Sequence, residues 1–183
     1  MKASILAVGA AAVIATYPAS AQVKALGGSF AQGCYHAAAE PRATLETLTT
    51  CNRAFDRENL SYDERFATYV NRGILKMIRS EYVAALTDFD SAVAMSPKRP
   101  EGWLNMAILR FKQGDSAAAL PLFDRALELG TRVPEIAYYG RGLAHEDMGN
   151  IPAAYSDLRR AVSLRPGWNE PMRDLARYRV RGQ

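Results

Sequence analysis

The stretch Tyr69–Pro97, YVNRGILKMIRSEYVAALTDFDSAVAMSP, decides the fold because its pattern occurs three times. Shifted by 34 residues it becomes WLNMAILRFKQGDSAAALPLFDRALELGT, Trp103–Thr131. A further shift of 35 gives YYGRGLAHEDMGNIPAAYSDLRRAVSLRP, Tyr138–Pro166, with Pro134 as the extra residue. The copies agree in size and chemistry rather than identity. Tyr69, Trp103 and Tyr138 open them; Gly73, Ala107 and Gly142 are small. Gly114 and Gly149 break the helix, with Ser80 in the first copy. Ala85, Ala119 and Ala154 are small again, Phe89, Phe123 and Leu158 are large and apolar, and Ala92, Ala126 and Ala161 follow.

Such a unit is a pair of helices that cannot bury enough surface alone. Its small residues let the second helix approach the first, so Gly73 reads as a contact point rather than a flaw. The large apolar positions fill the space between units, so each hairpin must stack on the next. Asp115 and Asn150, just after the glycines, are suited to cap each second helix. Prolines between units keep adjacent helices from fusing.

The pattern resembles the tetratricopeptide repeat, the 34-residue helix-turn-helix family. Three units are expected at 66–99, 100–133 and 135–168. The resemblance implies an all-α, right-handed superhelix of stacked antiparallel hairpins. Two departures stand out. Lys76, Arg110 and His145 replace a usual aromatic, and Pro121 sits inside a helix, where it shortens or bends it. The flanks at 22–65 and 169–183 read as a lead-in with a degenerate N-terminal hairpin, and as a capping helix through about Arg179 with a basic tail.

Residues 1–21 stand apart. A positive start, an apolar run at Ile5–Thr16, Pro18 and the small residues Ala19-Ser20-Ala21 have the layout of a secretory signal. The run has 12 residues, short of the ~20 that span a bilayer, so no membrane anchor is expected after cleavage. An exported protein is expected, periplasmic or secreted. Export makes Cys34 and Cys51 a disulfide candidate that clips the N-terminal hairpin, with buried free thiols as the alternative. Closing a 17-residue separation stabilises by roughly 3 kcal/mol on the loop-entropy model.

Net charge is +4, unevenly spread. From Arg159 onward there are seven arginines and two acids. Arg173, Arg177 and Arg181, spaced i, i+4, i+8, read as a stripe for anionic lipid, an acidic protein or envelope polymer, or as a soluble cap face. Nucleic acid is disfavoured by export and by the scarcity of interleaved aromatics.

No phosphate loop, HExxH or GxSxG is present. Asp88 and Asp90 point about 200° apart on a helix and read as a solvated acidic face rather than a metal site. His145-Glu146-Asp147 reads as a solvated helix end. No metal, cofactor or enzymatic activity is expected; an enzyme with an unrecognised site is the residual alternative. What remains is a scaffold that binds a protein or peptide. The resemblance implies a groove lined by the first helices. It comprises Val70, Asn71, Ile74 and Met77 with Ile78; Leu104, Asn105, Ile108, Phe111 and Lys112; and Tyr139, Leu143, Glu146 and Asp147. Such a groove is apolar at one end and acidic at the other. Asn71 and Asn105 would bond a peptide backbone. The family's carboxylate clamp is not expected, since Ala67, Glu101, Glu135 and Gly140 hold the matching places. The same stripe would also serve as a surface packed against neighbouring hairpins.

Overall fold

The computed structural model describes residues 29–178, and every described element is helical. The leader reading, the start of the lead-in and Arg181 lie outside them. The helices are α1 (Ser29–Ala39), α2 (Leu45–Arg57), α3 (Tyr62–Ile78), α4 (Tyr82–Met95), α5 (Pro100–Lys112), α6 (Ser116–Glu128), α7 (Pro134–Asp147), α8 (Ile151–Leu164) and α9 (Asn169–Leu175). They pair as antiparallel hairpins, α1 with α2 through α7 with α8, and each hairpin stacks on the next.

Local chemistry sets the boundaries. Ser61 and Glu64 form a reciprocal capping box on α3, and Thr44 and Thr47 do so on α2. The expected caps form: Asp115 accepts from the Ala118 amide and Asn150 from the Ala153 amide. Pro100 and Pro134 open α5 and α7, where a missing N–H costs nothing. Gly114 and Gly149 turn the hairpins with φ of 81° and 76°, and Ser80 is held at 64° in the same place. Helix α6 runs through Pro121 without a break.

The core runs continuously along the stack. Phe66, Phe89 and Phe123 are wholly buried, with Leu75, Leu109 and Leu158. Gly73 is the contact point that its register implied: a Cβ there would lie 2.4 Å from the Phe89 ring on α4. Gly140 meets Phe123 in the same way at 2.5 Å. At the N-terminal end Cys34 and Cys51 form a buried disulfide between α1 and α2. Glu58, at the end of α2, accepts from the Phe30 and Ala31 amides at 2.8 and 3.0 Å and so closes the start of α1.

The last helix is shorter than expected. It ends at Leu175 rather than near Arg179. Arg177 therefore follows a turn, and the helical spacing that would align it with Arg173 does not hold. It turns back instead, 2.8 Å from Glu146.

Candidate functional site

The first helices of the three repeats, α3, α5 and α7, carry the expected stripe on one face each. Most of that face is core. Val70, Ile74 and Met77 on α3, Leu104 and Ile108 on α5, and Tyr139 on α7 are all buried. Asn71 and Asn105 are buried too, and the Asn105 amide donates to the Glu101 carbonyl at 2.8 Å. The Asn105 nitrogen is thereby tied to its own helix.

Surface remains at the C-terminal ends of these helices, at one shared register. There Ile78 on α3, Phe111 and Lys112 on α5, and Leu143, Glu146 and Asp147 on α7 are half-buried or exposed. Phe111 and Leu143 rest on the core below. Three adjacent helix ends thus offer an apolar patch, then an aromatic ring with a cation, then two acids.

The triplet His145-Glu146-Asp147 is not a free solvated end, because each residue serves a different element. His145 Nε2 lies 4.0 Å from Asp157 on α8. Glu146 receives Arg177 at 2.8 Å. Asp147 accepts from the Ser116 hydroxyl at 2.6 Å, tying α7 to the start of α6. Beside them the Tyr139 hydroxyl donates to Asp174 at 2.7 Å. The Tyr178 hydroxyl is buried, with no bonding partner of good geometry among the described residues. Burial, with the Glu146 charge second, pushes its pKa up to about 12.

The acidic face also needs correcting. Asp88 is only 2% exposed and receives both Arg72, through two bonds at 2.7 and 2.9 Å, and Lys76 at 2.7 Å. Asp157 repeats the arrangement with a two-bonded Arg141 at 2.7 and 2.8 Å. Each arginine then reaches back to the preceding hairpin: Arg72 to Asn52 at 2.8 Å, Arg141 to Asp124 at 2.6 Å. A helical wheel hid this, because it places a residue on a face without showing what stands opposite. Asp157 and Asp124 together hold the Arg141 pKa above its ordinary value, with the Asp157 bonds the largest cause. Asp90 keeps the exposed position expected of it.

Among the described residues no three His, Cys, Asp or Glu side chains come together as a metal site, and no helix is long and apolar enough to cross a membrane. Arg173 is 68% exposed, with Asp174 at 3.9 Å.

A family model described as Tetratricopeptide repeat matches residues 70–131 and again 104–171, two windows whose starts differ by the repeat length seen in the sequence. Among solved structures, the chain is similar to the "Crystal structure of MamA", at 19% identity over 70% of this chain and 72% of that one, with a TM-score of 0.59. It is also similar to "MamA RS-1 ArsTM double mutant", at 19% identity over 81% of this chain and 82% of that one, with a TM-score of 0.62. At this identity the likeness is one of fold. No curated protein matches the chain.

Proposed function

The chain belongs to the tetratricopeptide repeat family, and from that premise we propose that it is an exported, non-enzymatic scaffold that binds a segment of a partner protein across the ends of α3, α5 and α7. The observation that carries this reading is the row of half-open positions at one register: Ile78, then Phe111 and Lys112, then Glu146 and Asp147. Neighbouring helices with equivalent positions form a track, and a track suits an extended segment better than a compact ligand. An apolar side chain of the partner sits by Ile78 and Phe111. A basic one faces Asp147. Phe111 rests on the core, to which the buried Val70, Ile74, Leu104 and Ile108 belong. The disulfide supports the exported part of the reading, since such bonds persist in oxidising compartments.

The test must avoid the acids. Reversing Glu146 or Asp147 would also break their bonds to Arg177 and Ser116. A photo-crosslinking residue is placed instead at Phe111, at Leu143, and, as a control, at Val83, which is 81% exposed on α4. Crosslinks to one shared partner from positions 111 and 143, absent from 83 and lost with Lys112→Glu, are expected. Equal yields from all three positions would reject the track.

A further inference from the structure

We propose that the cleft between α7 and the outer face of α8 is a second recognition site, which takes a short acidic segment of a partner protein. Tyr138 and Arg141 of α7 and Tyr155, Ser156, Arg159 and Arg160 of α8 line it. At 100° per residue Arg141 points about 160° from Leu143 and about 140° from Glu146, and Tyr138 lies about 12 Å from Glu146 along α7, so this site is separate from the track.

Charge selects the ligand. The lining carries three guanidiniums against one carboxylate, Asp157, and that carboxylate is consumed by Arg141. Arg159 and Arg160 have no acid within ion-pairing distance among the described residues. Both are held beside rings, Arg159 at 5.8 Å from the centre of Tyr155 and Arg160 at 5.9 Å from that of Tyr138. A guanidinium steadied on a ring face keeps its N–H edge free for a carboxylate, which it can grip with two bonds. The hydroxyls of Tyr138, Tyr155 and Ser156 add donors.

Shape narrows it further. The cleft is open and offers about 580 Å³, and its lining on α8 runs from Tyr155 to Ser163. Eight residues of helix span about 12 Å, the length of roughly three to four extended residues. One phosphate would leave most of this space empty. No aliphatic side chain lines the cleft, so an acyl chain has no seat. Guanidiniums already sit beside the rings, Arg141 also lying 5.3 Å from the Tyr138 centre, which leaves less ring face open to a base.

The test measures fluorescence anisotropy of a labelled Glu-rich hexapeptide against the full chain at low salt. Saturable binding that weakens with added salt is expected. Arg159→Gln/Arg160→Gln should weaken it about tenfold, while Arg173→Gln on α9 changes it by less than about twofold. Circular dichroism and the melting midpoint of each variant confirm that the fold persists. Absence of binding to the unaltered chain overturns the proposal, as does an equal loss from Arg173→Gln. Equal or tighter binding of a charge-matched oligothymidylate or of anionic vesicles also overturns it, because the site would then be a general polyanion patch.

Discussion

The outer repeats and the middle one solve the same packing problem differently. In the first repeat the seam between helices is ionic: Arg72 against Asp88, with Lys76 on the same carboxylate. In the third it is Arg141 against Asp157, with His145 nearby. At the equivalent places the middle repeat has Met106, Leu122 and Arg110. The middle hairpin forms all the same, so a hairpin of this kind can be built without the ion pair. Its value depends on both partners being present: desolvating two charges offsets most of their attraction, and removing one leaves the other stranded.

That difference can be broken directly. Asp88→Ala should cost about 3 kcal/mol, because it strands Arg72 and Lys76 beside a hydrophobic seam. Transplanting the middle solution, Arg72→Met with Asp88→Leu, should recover most of that loss, since Arg110 already occupies the place of Lys76 in the middle repeat. Urea unfolding of the three chains measures both. If Asp88→Ala costs no more than an exposed pair does, the ionic seam carries no weight. If the double variant is as unstable as the single one, the seams are not interchangeable.

A smaller effect is expected at the helix crossing. Gly73→Ala drives a methyl into the Phe89 ring and should cost about 2 kcal/mol, despite the better helix propensity of alanine. The middle repeat already has Ala107 there, so Ala107→Gly should lose only about 1 kcal/mol, through helix propensity. Comparable losses from the two changes would mean that the crossing distances do not differ.

Smaller again is the turn. Ser80 adopts the left-handed conformation that glycine fills at positions 114 and 149. Ser80→Gly should therefore stabilise by about 0.5–1 kcal/mol, read as a rise in melting midpoint. A fall would show that the serine side chain offsets its backbone strain.

The last effect, nil at neutral pH, concerns the third repeat and the segment folded onto it. Burial pushes the Tyr178 hydroxyl up to about 12 in the folded chain, above the ordinary 10. The unfolded chain releases that proton first, so folded stability falls as pH rises from 10 towards 12. In a titration followed at 295 nm, Tyr178→Phe should remove one tyrosine from those that ionise above the ordinary range. An unchanged late phase would place the burial elsewhere.

Much of this was legible because repetition turns weak local signals into register. Gly73 as a helix contact and the caps Asp115 and Asn150 follow from positions that recur, and the Cys34–Cys51 pairing from the export reading; Phe89, expected between units, instead fills the crossing within its own hairpin. The ionic seams were less legible. Taken singly, Asp88 and Asp157 look like solvated helix surface, since no one-helix argument shows what faces them. The signal was a paired one. Arginine and aspartate lie 16 residues apart in the outer repeats and are replaced together, by Met106 and Leu122, in the middle. The stripe on α3 and α5 shares one face, but periodicity cannot separate a groove from a core. The cleft on α8 depends on two helices meeting, and composition showed only that arginine is concentrated near it.

Arg72 and Arg141 each join three helices: their own, the second of the same hairpin and the last of the hairpin before. Mechanically, a stack of hairpins is a spring, and these side chains are cross-ties between its coils. They stiffen the joints α2–α3 and α6–α7. At the joint α4–α5 the equivalent positions are Met106 and the exposed Asp90, and no tie forms at that register among the described residues. At that register the middle joint resists a load through packing alone, where its neighbours add a charged tie.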